Sequence, residues 1–188
     1  MKRLHQFMLI GSFVPLCWYG MMAVHELGHV TAAAVTGGTV TKVVLDPLAI
    51  SRTDVAPNPM PLIVVWAGPL VGVILPLLVW MMFRFPHIPG AYLPRFFAGV
   101  CLIANGAYIG IGSLDRVGDA GTMLRHGAPM GLLWLFGAAT MPTGFWLWHR
   151  LGPHFGLGQA RGHVDPVAAY VSVTLFVLVL TIAAAFGR

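Results

Sequence analysis

A chain of 188 residues that is 57% hydrophobic and only 9% charged does not fit a soluble domain, where about 25% of residues are charged. Its net charge of +5, eleven Lys/Arg against six acids, contains no basic run, which points to interfacial anchoring in a bilayer and away from a nucleic-acid partner. Cys17 and Cys101 stand alone in apolar segments and give neither a disulfide framework nor a cysteine-based metal spacing.

The first apolar segment, residues 6–35, is longer than the ~20 residues a bilayer needs. Its opening, MKRLHQFMLI, resembles the start of a signal peptide. Cleavage after it would detach or shorten the helix that follows, so it is read as an uncleaved first span. Pro15 marks a kink or the start of the regular helix, and Gly37-Gly38 ends it. In residues 39–55, β-branched TVTKVVL and then LAISRT flank Asp46-Pro47, which predicts a short hairpin, with a plain surface loop as the alternative. PNPMP, 57–61, is a turn.

Residues 61–83 form the second span, where Ala67, Gly68 and Gly72 allow another helix to come close. A Pro-rich connection, 84–95, leads to the third span, 96–112, which contains Asn105. Residues 113–128 are the polar centre of the second half. They hold Asp115, Asp119 and a short helix that stops at Gly127. A Trp-rich fourth span (129–149), an interfacial Gly/His/Arg loop and a plain fifth span (166–186) complete the chain. The expected fold is an all-α polytopic membrane protein, one domain over 1–188, with about five transmembrane helices and a short β-hairpin between the first two. Six Lys/Arg on one side and five on the other leave orientation undecided.

The chemistry concentrates in VHELGHV, residues 24–30. His25 and His29 share a helix face at a spacing that suits two zinc ligands, and Glu26 beside them suits a general base acting on water. Glu26 is the only glutamate in the chain, and an ionisable group inside an apolar span is a functional-site signal. A catalytic zinc takes three protein ligands and keeps one position open. Span topology leaves Asp46, Asp54, Asp115, Asp119 and His126 on the correct side for the third. Asp119, opening a predicted helix, is favoured, with Asp115 as the alternative; Asp119 as a mere helix N-cap is the bland reading. Glycines at 106, 110, 112, 118 and 121 suit a re-entry of this segment to membrane depth. Asn105 suits either substrate binding, donating to a scissile carbonyl or its oxyanion, or an interhelical hydrogen bond.

With HELGH, the strand segment and the Asp119 turn in place, the chain resembles the site-2 protease family of intramembrane zinc metalloproteases over roughly residues 20–125. TVTKVVLDPLAISRT is similar to the family's membrane-associated strands. WAGPLVG is similar to its A-G-P-L-A-N helix, with Gly72 in the place of Asn. DAGTML, from Asp119, is similar to its Asp-Gly-Gly-x-x-Leu segment, and Asn105 to the Asn upstream of that Asp, at a wider spacing and without the intervening Pro. The resemblance implies a metalloprotease core at about 6–128, additional spans at 129–149 and 166–186, and one Zn2+ ion on His25, His29 and Asp119. It also implies Glu26 as catalytic base, a transmembrane protein as substrate, and a multi-pass protein of the cell membrane with its zinc near the cytoplasmic face. A catalytically silent scaffold of the same fold and a zinc hydrolase of a lipid-like substrate are the competing readings.

Overall fold

In a computed structural model, residues 2–46, 50–85, 88 and 90–186 are described. The turn at Pro47, the connection residues Pro86, His87 and Pro89, and the chain end at Arg188 lie outside them. The protein is an all-α polytopic membrane protein. Among the described residues, five helices are long and apolar enough to cross a membrane: α1 (Lys2–Val35), α2 (Pro61–Arg84), α3 (Tyr92–Gly110), α6 (Met130–Trp148) and α7 (Pro166–Phe186). Two short helices, α4 (Gly112–Asp115) and α5 (Gly118–Arg125), separate α3 from α6. Between α1 and α2, β1 (Val40–Val44) and β2 (Arg52–Val55) pair antiparallel with Val43 opposite Thr53, so the hairpin forms as its β-branched composition predicts.

Two helix starts lie earlier than expected. α1 begins at Lys2 and runs through Pro15 without stopping, and α3 begins at Tyr92. Proline is tolerated inside membrane helices because neighbours re-satisfy the freed backbone groups. Tertiary contacts also hold the first turns: Gln6 Nε2 donates to the Phe155 carbonyl at 3.0 Å, and Leu9 is fully buried with Phe155 and Ala169.

Helix approach rests on small residues, as expected where packing replaces the hydrophobic effect between apolar surfaces. A Cβ at Gly28 of α1 would strike the backbone of Ala67 and Gly68 in α2. α3 packs most extensively on α6, along Gly106 and Gly110 against Gly137 and Thr140. This corrects one expectation: Gly106 and Gly110 pack on α6 and do not shape a re-entry. The turn is made instead by Arg116 and Gly118, both with positive φ (54° and 56°). Gly118 has no substitute there, since a Cβ would also run into the Tyr108 hydroxyl. Beyond this turn, Ala120 and Met123 of α5 are fully buried with Val65, Ile109 and Leu133, which anchors α5 beneath α2, α3 and α6.

Candidate metal centre

His25, Glu26 and His29 lie in the C-terminal third of α1, facing α2, α3 and α5, and each is buried; Glu26 is only 2% exposed. Opposite them, Asp119 is the second residue of α5. The N-cap of that helix is Val117, with no side-chain cap, so the capping reading of Asp119 does not hold. Its carboxylate turns to the histidines instead. Asp119 Oδ2 lies 2.8 Å from His25 Nε2 and 3.2 Å from His29 Nε2, and the two Nε2 atoms are 3.1 Å apart. These three residues form a metal-sized grouping among the described residues.

The outer ring nitrogens fix the tautomers. His29 Nδ1 lies 2.8 Å from the Val64 carbonyl, which can only accept, so that nitrogen carries a hydrogen. His25 Nδ1 lies 2.6 Å from Asn105 Oδ1. Asn105 Nδ2 donates to the Cys101 carbonyl at 2.9 Å, which sets the amide so that its oxygen faces the imidazole. In their neutral form, both imidazoles then turn their Nε2 lone pairs inward, toward a carboxylate. Three electron-pair donors converging in a buried space repel one another unless a cation lies between them. Tetrahedral donors about 2.0–2.1 Å from a zinc ion stand roughly 3.3 Å apart, close to the observed triangle. Two nitrogens, one carboxylate oxygen and hydrogen-bonded outer ring nitrogens are the donor set and support that a catalytic zinc takes.

No protein-family model, curated protein or solved structure matches the chain. The site is therefore read from its own geometry.

Of the residues singled out from sequence, His25, His29 and Asp119 come together and Glu26 lies beside them. Asp115 is exposed at the end of α4 and has no place in the grouping. Asp54 pairs with Arg52, and His126 is exposed with its Nδ1 on the Thr122 carbonyl. Asn105 differs from the substrate-donor expectation. Its oxygen orients His25 and its nitrogen bonds its own helix, which is the interhelical hydrogen bond of the alternative reading, made across the α1–α3 contact. Gly72 leaves the room for that amide, since a Cβ there would stand 2.8 Å from both Asn105 Oδ1 and Nδ2. Gly68 does the same for the imidazoles: a Cβ would strike the His29 ring and come within 2.9 Å of His25 Nε2.

Three contributors carry no sequence signature. Thr53 of β2 donates its hydroxyl to Glu26 Oε2 at 2.7 Å. The Tyr108 hydroxyl accepts the Asp119 backbone N–H at 3.2 Å, and its ring meets His25 edge to face. Val64 offers a backbone carbonyl, which any residue could supply. All these groups open into a cavity of about 960 Å³, walled by Met21, Met22 and Val65 on its apolar side and by Arg52, Asp54 and Arg125 on its polar side.

Proposed function

We propose that the protein is an intramembrane zinc metalloprotease of the site-2 protease kind, hydrolysing a peptide bond in or near a transmembrane segment of another membrane protein. The observation that carries this reading is the inward convergence of His25 Nε2, His29 Nε2 and Asp119 Oδ2 beside a buried glutamate that is not one of them. His25, His29 and Asp119 would hold the zinc ion, which would supply Lewis acidity and lower the pKa of a water to about 7. Glu26 takes a proton from the attacking water and delivers it to the leaving amine. Thr53 donates to Oε2 of Glu26 and so fixes the orientation of that carboxylate. Asn105 and the Val64 carbonyl keep the two imidazoles aimed.

The cavity also suits an extended peptide. β2 contributes Arg52–Val55 to its wall, and a two-stranded sheet leaves each strand one unpaired edge. Strand addition there would hold a locally unwound substrate helix, whose backbone water must reach.

The test is Glu26→Gln in protein co-expressed with a tagged single-span membrane substrate. The variant is expected to keep its zinc and lose cleavage. Persistent cleavage rules out Glu26 as the base, and turnover of detergent-dispersed lipid with helical peptides left intact replaces the protease reading with a lipid hydrolase.

A further inference from the structure

The end of the bundle away from the metal centre holds a second feature that proteolysis does not use. Arg84 lies in the last turn of α2 and Arg95 in the first turn of α3, so both guanidinium groups belong to the same end. They line a cavity of about 320 Å³ with Trp80, Tyr92, Leu151 and His154. Among the described residues, no carboxylate lines it and neither arginine joins an ion pair. Arg84 is exposed at its helix end, while ring and hydrogen-bond contacts order the rest of the wall. Arg84 lies over the Trp80 ring at 5.6 Å, Tyr92 stacks on His154 at 4.7 Å, and Arg95 Nη2 donates to the His149 carbonyl at 3.1 Å.

Among the described residues, two polar atoms in those walls lack partners: Tyr92 Oη and Arg95 Nε are buried without a hydrogen bond. Buried polar groups are nearly always paired, so each orphan calls for an explanation. Arg Nε can only donate, and a tyrosine hydroxyl donates readily, so the missing partner is an acceptor. Two like charges on one small cavity also repel, and an anion between them removes that cost.

The charge of the whole molecule points the same way. Toward this end lie Lys2, Arg3, Arg84, Arg95, Arg150 and Arg161 against a single acid, Asp165, while every other acid lies toward the metal centre. The Lys/Arg counts at the two ends are nearly even, so the asymmetry lies in the acids.

We propose that this cavity is a phosphate site that takes the headgroup of an anionic phospholipid. Its mouth lies at the ends of α2, α3 and α6, the depth at which a bilayer presents its phosphates. Paired guanidinium groups match phosphate oxygens in geometry and charge. Free inorganic phosphate offers the same oxygens without acyl chains, and the test separates the two.

Full-length protein, delipidated in neutral detergent, is titrated with phosphatidylglycerol, phosphatidylcholine or inorganic phosphate and read by native mass spectrometry. Phosphatidylglycerol is expected to bind about tenfold more tightly than phosphatidylcholine, the scale of one or two charge-assisted hydrogen bonds. Arg84→Gln with Arg95→Gln should erase that preference. Lys2→Gln with Arg3→Gln, which removes the same charge from the same end outside the cavity, should preserve it. Tyr92→Phe leaves every charge in place and should still weaken binding several-fold, which keeps the test sound if the double arginine variant fails to fold. Equal binding of the two lipids, or equal loss in both double variants, overturns the proposal. Displacement of phosphatidylglycerol by inorganic phosphate at matching concentration overturns its lipid part.

Discussion

The two ends of this bundle solve opposite problems with the same kinds of atoms. At the metal centre, both nitrogens of His25 and of His29, Asp119 Oδ2 and Glu26 Oε2 all have partners within the chain. At the other end, Arg95 Nε and Tyr92 Oη have none. The contrast is local, because Asn58 Oδ1, in the wall of the metal-centre cavity, is also buried without a partner among the described residues. It holds for the converging side chains themselves: imidazoles and a carboxylate meet one another at the first end, while two guanidinium groups and a phenol share the second cavity without a carboxylate.

Changes among the paired groups of the metal centre should therefore be costly and specific. Glu26→Gln is expected to reduce cleavage by about 10²–10⁴-fold, the range of general-base catalysis, with zinc content unchanged; a discontinuous peptide-release assay beside elemental analysis checks both. Gly68→Ala should be next. Its methyl would occupy the space of the His29 ring, costing about 1–3 kcal/mol in thermal unfolding and emptying the site of metal. Asn105→Ala removes the acceptor that aims His25 and should weaken zinc about 10–100-fold by competition with a chelator. Thr53→Val should be mildest: zinc stays, kcat falls by about tenfold or less on losing one hydrogen bond to a carboxylate, and Thr53→Ser restores it. Arg84→Gln belongs to the other end and should alter neither zinc nor kcat. A loss of zinc there would break the contrast between the two ends.

The sequence makes much of this legible because membrane physics writes it in long runs. Five apolar segments give the spans, β-branched TVTKVVL gives a strand, and the four-residue spacing of His25 and His29 gives two groups on one face. Topology narrows the third residue to Asp46, Asp54, Asp115, Asp119 and His126, and Asp119 stands out among them because it opens a predicted helix. What stays illegible is the set of contacts with no residue-type signal. A threonine in an exposed-looking strand reaches Glu26, and a valine holds His29 through its backbone. Gly72 reads as a helix-approach site, yet the space it frees is filled by one amide of α3. Gly106 and Gly110 invite a reading as a flexible turn because spacing alone does not distinguish packing glycines from turning ones. Which role a glycine takes depends on its neighbour, here Gly137 and Thr140 of α6.

The most direct measurement is metal content per chain, by elemental analysis of protein purified without added zinc, for the native sequence, Asp119→Ala and Asp115→Ala. The expected result is one zinc in the native protein, one in Asp115→Ala, and little or none in Asp119→Ala. A native protein free of metal, or an Asp119→Ala variant that retains it, contradicts the account.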